Sequence, residues 1–117
     1  MANPVVHFEI QSSGAPQLHQ FYGDAFGWKV DANNAMNYGI VEAGKGGIAG
    51  GISPSMGDEN LVTFYIQVDD VAASLEKIEK LGGKTVMPAM DVPDGPTIAL
   101  FSYPQGNTIG LVKTDTM

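Results

Sequence analysis

A short segment near the start of the chain returns, in frame, near its middle. HFEIQ at residues 7–11 recurs as TFYIQ at residues 63–67, an offset of 56 residues, and the same offset places Gly27 on Gly83. A chain that repeats itself in this way is typical of two copies of one supersecondary unit. Few folds accommodate such a repeat in a chain this short.

The carboxyl-terminal parts of the two halves align with a slightly longer offset. At 60 residues, Gly50 falls on Gly110, as if the second copy carried four extra loop residues. A chain of 117 residues is long enough for one domain. We therefore predict a single domain over residues 1–117, with repeat units at about 4–54 and 60–114.

Both repeated segments alternate apolar and polar side chains with the period of a strand. The apolar sides are formed by Val6, Phe8 and Ile10 in the first copy and by Val62, Phe64, Ile66 and Val68 in the second. The opposite sides carry His7 and Glu9 in the first copy and Thr63, Tyr65 and Gln67 in the second. We expect the helix that follows each strand to cover the apolar side.

Each strand is followed by a helical pattern. Apolar residues recur at helical spacing at Leu18, Phe21, Tyr22, Ala25 and Phe26 in the first copy and at Val71, Leu75 and Ile78 in the second. Gly27 and Gly82 are expected stops, and Asp69 or Asp70 begins the second helix. Further strands are predicted at 28–32, 37–41, 47–52, 84–87, 97–102 and 108–113, with a loop at 88–96 and a frayed tail after Lys113.

The polar sides of the two first strands face away from their helices. Polar groups then converge where the two half-sheets meet, and a concave surface of that kind is the default location for a binding site. The candidate ligand-binding residues on it are His7, Glu9, Thr63, Tyr65 and Gln67.

Charge and composition exclude several partners. The formal charge is −7, which repels nucleic acid and anionic membrane surfaces. The chain has no cysteine, so it can form neither disulfides nor thiolate metal sites. Its first residues show no secretory signal and no apolar run reaches membrane-spanning length, so a cytoplasmic location is expected.

Three motifs resemble the vicinal oxygen chelate superfamily, which includes glyoxalase I, bleomycin resistance proteins and extradiol dioxygenases. HFEI with FYGDAFGW is similar to its first strand and helix, VDDVAASLEKIEKLGG to its second helix, and YPQGNTIGLV to its closing hairpin. The resemblance implies an α+β fold in which two βαβββ units form an open, cleft-like mixed-sheet barrel. It also implies a homodimer.

Enzymes of this family hold a divalent metal through one residue from each first strand and one from each last strand. His7 matches the first of these positions and Thr63 the second, while Gly110 and, through the offset of 60, Gly50 match the last-strand positions. Glycine offers no donor, and one neutral imidazole cannot hold a divalent metal against water. We therefore predict no metal cofactor. A rearranged site of His7, Glu9 and another carboxylate is disfavoured.

These features favour a metal-independent protein that sequesters or senses a small ligand in the cleft, with His7, Glu9, Tyr65 and the positions of Gly50 and Gly110 around it. The alternative is a glyoxalase, lyase or dioxygenase-type enzyme that uses a divalent metal or His7 and Glu9 as acid and base. A third possibility is an interaction module with a collapsed cleft.

Other conspicuous residues have simpler explanations. Trp28 is expected to pack against the first helix and His19 to face water. Tyr65 either supplies a hydroxyl or fills the floor of the cleft. The methionines near predicted loops, Met36, Met56, Met87 and Met90, line an adaptable apolar pocket or are exposed or in a dimer contact.

Overall fold

A computed structural model describes residues 2–33, 38–55, 60–92 and 95–113. In chain order the elements are β1 Val5–Ser12, α1 Ala15–Phe26, β2 Val30–Asp31, β3 Gly39–Val41, β4 Ala49–Pro54, β5 Leu61–Val68, α2 Val71–Lys80, β6 Lys84–Asp91, β7 Thr97–Ser102 and β8 Thr108–Lys113. The order β-α-β-β-β thus occurs twice, which confirms the predicted α+β class. In the described part of the chain, no helix has the length and apolarity needed to cross a membrane.

The chain divides into two compact units. The first spans residues 6–63, and the second contains residues from Phe64 onwards together with the amino-terminal residues up to Val5. Strand order is β2-β3-β4-β1 in one and β5-β8-β7-β6 in the other. In each unit the first and last strands of the repeat pair in parallel, β1 with β4 and β5 with β8. The predicted mixed sheet is confirmed.

The core of the first unit lies between α1 and the sheet. Phe8, Ile10, Leu18 and Tyr22 pack around buried Ala15, Val41 and Ile52. Trp28 stacks on Tyr22 with ring centroids 4.7 Å apart and planes 13° apart, which confirms its predicted contact with the helix. Gly27 ends α1 in the left-handed region, at φ 72°.

The wide apolar stripe predicted for α1 is only partly covered. Phe21 and Phe26 are 56% and 64% exposed. Both rings pack against Tyr22, with 5.1 and 6.0 Å between ring centroids. Tyr22 packs against the core cluster, whereas Phe21 and Phe26 lie outside it. Ala25 is exposed as well, so of the five apolar positions in the predicted stripe only Leu18 and Tyr22 pack against the core.

The second core follows the predicted stripe of α2, where Val71, Leu75 and Ile78 pack with Val68, Ala99 and Leu111. Asp70 caps the helix by accepting a 3.0 Å hydrogen bond from the Ala73 amide. Val62 and Phe64, by contrast, are 74% and 38% exposed. A ten-residue helix is about 15 Å long and an eight-residue strand about 27 Å, so α2 covers only the carboxyl-terminal half of β5.

Strand β6 is longer than predicted. It runs through Pro88 to Asp91, where the proline content had indicated a loop. The strand lies at the edge of its sheet, and its pairing with β7 shifts register between Thr85 and Met87 and again between Met87 and Met90. A proline is tolerated at such a bulged edge because no amide donor is needed there. Met36, Met56 and the predicted tail after Lys113 lie outside the described residues.

Candidate functional site

The polar side of β1 is defined by its pairing with β4. The register places His7 opposite Ala49, Phe8 opposite Gly50 and Glu9 opposite Gly51. Successive side chains of a strand point to opposite faces. Phe8 joins the α1 core, so His7 and Glu9 share the other face with Gly51.

A third side chain, Tyr38, joins His7 and Glu9 into a hydrogen-bonded network. The Tyr38 hydroxyl lies 2.8 Å from Nε2 of His7 and donates to Oε1 of Glu9 at 3.2 Å. Gln11 donates from Nε2 to the other carboxylate oxygen, Oε2, at 2.6 Å. We call these four residues the β1 polar network. This network brings an imidazole, a phenol, a carboxylate and an amide together on one side of β1.

The proton positions in this network follow from the donors. A hydroxyl carries one hydrogen, and since Tyr38 gives it to Glu9, the Tyr38 oxygen accepts from His7. This assigns the Nε2–H tautomer to a neutral His7. Burial lowers the pKa of His7 from its ordinary value of 6.5, and the nearby Glu9 carboxylate opposes that effect. The imidazole is accordingly neutral at physiological pH.

Glu9 is the buried charge of the network. It is 8% exposed, and its two donors, Tyr38 and Gln11, are both uncharged. Hydrogen bonds from neutral groups offset part of the cost of removing a carboxylate from water. His7 and Tyr38 are only partly buried, so both are more accessible to solvent than Glu9.

Gly50, one of the sequence-predicted site residues, lies on the wrong face. It is paired with Phe8, and a β-carbon added to it would overlap the Phe8 ring. The glycine beside Glu9 is Gly51, which matches Gly110 at an offset of 59 rather than 60. Since a slip of one residue moves a strand side chain to the opposite face, the repeat alignment had selected the core-facing neighbour.

In the second unit, Tyr65 is paired with Gly110. A β-carbon on Gly110 would overlap the Tyr65 ring, and Thr63 and Tyr65 are each 5% exposed. The Tyr65 ring therefore fills the space beside Gly110. Gln67 is partly buried, and its backbone bonds to Pro4 and to the Asn3 side chain at 2.9 and 3.0 Å. Convergence of this set with His7 and Glu9 stays a prediction.

The same packing of a tyrosine against a glycine thus occurs in both units. Where the first strand faces a last-strand glycine, a tyrosine ring or hydroxyl takes the space that a side chain on the glycine would need: Tyr38 at Gly51 and Tyr65 at Gly110. Within residues 2–33, 38–55, 60–92 and 95–113, no three His, Asp or Glu side chains are grouped so as to hold a metal. His7 and Glu9, the two side chains of this network that could act as metal donors, are both hydrogen-bonded to Tyr38.

Sequence reasoning missed Tyr38, Gln11 and Gly51. Gln11 was detectable, because it follows His7 and Glu9 at the same period of two. Tyr38 was not, since its position depends on the antiparallel register that sets Ile40 beside Gly51. His19 was also misplaced: its Nε2 donates to the Ile52 carbonyl at 3.0 Å instead of facing water.

Comparisons with known proteins agree with this architecture. The sequence model of the Glyoxalase/Bleomycin resistance protein/Dioxygenase superfamily matches residues 5–111. Over 111 residues the chain is 30% identical to CFP32, a candidate glyoxylase of Mycobacterium bovis, covering 88% of this chain and 42% of that protein. It is also 30% identical over 112 residues to a glyoxylase-like domain-containing protein of Didymella fabae, covering 86% and 85%. The chain therefore spans about two fifths of the mycobacterial relative.

Solved structures share the fold at low sequence identity. A hypothetical protein from Bacillus halodurans superimposes with a TM-score of 0.76 at 11% identity, over 100% of this chain and 98% of the other. Methylmalonyl-CoA epimerase from Mycobacterium tuberculosis gives 0.69 at 13% identity, over 97% and 89%. At such identities the likeness concerns the fold alone.

Proposed function

Because the chain belongs to the Glyoxalase/Bleomycin resistance protein/Dioxygenase superfamily, we propose that it is a metal-independent protein that binds a small molecule at the β1 polar network. One observation carries the proposal. Tyr38 occupies the space at Gly51 and simultaneously engages His7 and Glu9. Two potential metal donors are thereby committed to a phenol, and the network instead offers hydrogen bonds to an organic ligand.

Charge supports a cationic or hydrogen-donating ligand. Glu9 is a nearly buried carboxylate with uncharged donors, and the chain carries a formal charge of −7. A cation that reaches the partly buried His7 and Tyr38 would be attracted by both. Sequestration or sensing requires only such binding, with no chemical step.

The test compares metal and organic probes on the same protein. Protein purified without chelator is analysed for metals and then titrated with Ni²⁺, Zn²⁺, Mn²⁺ and Fe²⁺ by calorimetry. A panel of small organic cations is screened by thermal shift beside neutral molecules of the same shape. We expect no stoichiometric metal, and at least one cation whose binding weakens by about tenfold or more in Glu9→Gln. Stoichiometric metal binding that is lost in His7→Ala would overturn the proposal.

A second candidate function is proton transfer on an enolisable substrate, with His7 as base and Glu9 acting on it through Tyr38. The observation that favours it is the continuous chain from imidazole to phenol to carboxylate, together with a lowered His7 pKa that keeps the base neutral. Exchange of substrate α-hydrogens in D₂O, lost in His7→Ala, would distinguish this activity from binding alone.

A homodimer is part of the same proposal. Several large apolar side chains are exposed in the single chain, among them Phe21, Val62 and Leu81 at 56%, 74% and 76%. A contact between two subunits would remove such side chains from water. Light scattering on purified protein should give about twice the 12.3 kDa of one chain. A mass of one chain at micromolar concentration would contradict it.

A further inference from the structure

A pocket of about 480 Å³ lies on the helix side of the first unit, away from the β1 polar network. Its apolar wall is formed by Phe8, Phe26, Trp28, Val41 and Ile48, and its remaining lining by Gly27, Lys29, Glu42, Gly44, Lys45 and Gly47. Pockets of a few hundred Å³ with mostly apolar walls and a few polar groups are typical of small-molecule sites.

The wall of this pocket is aromatic and partly open. Trp28 has its ring centroid 5.3 Å from that of Phe8 and 6.1 Å from that of Phe26. Phe26 is 64% exposed and Ile48 44% exposed. An aromatic ligand placed here would cover apolar surface that the folded chain leaves in water, and aromatic rings add favourable pair contacts.

The charge of the lining is opposite to that of the chain. The sequence has only six basic residues against thirteen acidic ones, yet Lys29 and Lys45 both line this pocket, with Glu42 as the single acidic side chain. The lining is thus formally +1 in a chain of formal charge −7. An anion repelled by most of the surface is therefore favoured at this place.

The rim of the pocket is held by backbone hydrogen bonds. Glu42 donates to the Lys29 carbonyl at 3.3 Å, and Gly47 donates to the Gly44 carbonyl at 2.9 Å. Gly46 closes the turn at φ 79°, in the region that favours glycine. From the pocket volume, the aromatic wall and the two lysines, we infer that the pocket binds a small aromatic carboxylate, at a site separate from His7 and Glu9.

The chain supplies its own reporter for this site, because Trp28 is the only tryptophan. The probe is 4-nitrobenzoate, whose nitroaromatic ring quenches indole emission on contact. Neutral 4-nitrobenzyl alcohol and cationic 4-nitrobenzylammonium are the matched probes, and N-acetyltryptophanamide corrects for absorption. We expect saturable quenching by the carboxylate, confirmed by calorimetry, at least about fivefold weaker binding of the alcohol, and weaker binding at higher salt.

Single and double variants test how the lysine charges, the aromatic wall and the location of the pocket each affect the affinity for 4-nitrobenzoate. Lys45→Gln keeps most of the side-chain stem and should weaken binding by about two- to fivefold. The double variant that combines Lys45→Gln with Lys29→Gln should weaken binding by about tenfold. Phe26→Ala should weaken binding by about two- to tenfold. Lys113→Gln is the matched control, and it should leave the affinity unchanged.

Several results would overturn the inference. These are equal affinity for the alcohol and the carboxylate, no effect of the double lysine variant, no saturable quenching at millimolar probe, or an equal loss of affinity in Lys113→Gln. Because Lys29, Lys45 and Phe26 are exposed, their variants should fold like the wild type, and far-UV circular dichroism checks this. The test is independent of binding at the β1 polar network, which Glu9→Gln would affect and Lys45→Gln would not.

Discussion

The hydroxyl of Tyr38 lies where a β-carbon on Gly51 would be. The same hydroxyl is bonded to His7 and Glu9, so the absence of a side chain at Gly51 is what lets the β1 polar network form. In the second unit the Tyr65 ring stands in the same relation to Gly110. Each glycine therefore leaves the space that a tyrosine of its own unit occupies.

Gly51→Ala should therefore displace Tyr38. Overpacking and the loss of the network hydrogen bonds should together lower the free energy of unfolding by about 2–4 kcal/mol. Urea denaturation measures the change. Gly44→Ala is the control, since nothing lies within 4 Å of an added β-carbon there, and it should change stability by less than about 0.5 kcal/mol. A combined Gly51→Ala and Tyr38→Leu variant should cost less than the sum of its parts, and strict additivity would argue against this packing.

Tyr38→Phe removes the hydroxyl and keeps the ring. Glu9 loses a donor while remaining buried, so we expect a loss of about 1–3 kcal/mol in the free energy of unfolding. Paired with Glu9→Gln in a double-mutant cycle, the two changes should couple by about 0.5 kcal/mol or more. Tyr103→Phe, on an exposed tyrosine, provides the matched control; a cost equal to that of Tyr38→Phe would show that the network adds nothing.

His7 makes stability depend on pH. Its pKa in the folded protein lies below the ordinary value of 6.5, so the unfolded chain binds the proton more readily. The corresponding stability is fully present above pH 6.5 and is lost as the pH falls through the lowered folded-state pKa. Between pH 7.5 and 5.5, the free energy of unfolding of the wild type should fall more steeply than that of His7→Gln. Since His19 is present in both proteins, equal slopes would contradict the lowered pKa of His7.

The Asp70 cap predicts a local effect on α2. Asp70→Ala removes the acceptor of the Ala73 amide and should cost about 1 kcal/mol, with Asp70→Asn restoring most of it. Thermal unfolding followed by circular dichroism is a sufficient measurement. Glu76→Ala, at an exposed position inside the same helix, should be nearly neutral, and a loss as large as that of Asp70→Ala would point to general helix weakening instead of capping.

Much of the fold was predictable because it depends on local patterns. The repeated segment at 7–11 and 63–67, the stops at Gly27 and Gly82 and the stripe of Val71, Leu75 and Ile78 all appear as predicted. The failures lie where a neighbouring element decides. Val62 is exposed because α2 is shorter than β5, and Pro88 is in a strand because β6 is a bulged edge.

The candidate site was predictable only in part for the same reason. His7 and Glu9 follow from the alternation of β1, but the choice between Gly50 and Gly51 needs the register of β1 with β4. One residue of register separates a core-facing position from a network-facing one. Tyr38 and its bonds depend on a further register, between β3 and β4.

The amino-acid sequence by itself determined the repeated βαβββ order, the acidic charge and the lack of cysteine, since these follow from residue types and their spacing. Tertiary structure decided which glycine stands beside Glu9, that Tyr38 joins His7 to Glu9, and that Lys29 and Lys45 meet an aromatic wall. Strand pairing and helix packing bring together residues distant in the chain, and no local period encodes such contacts.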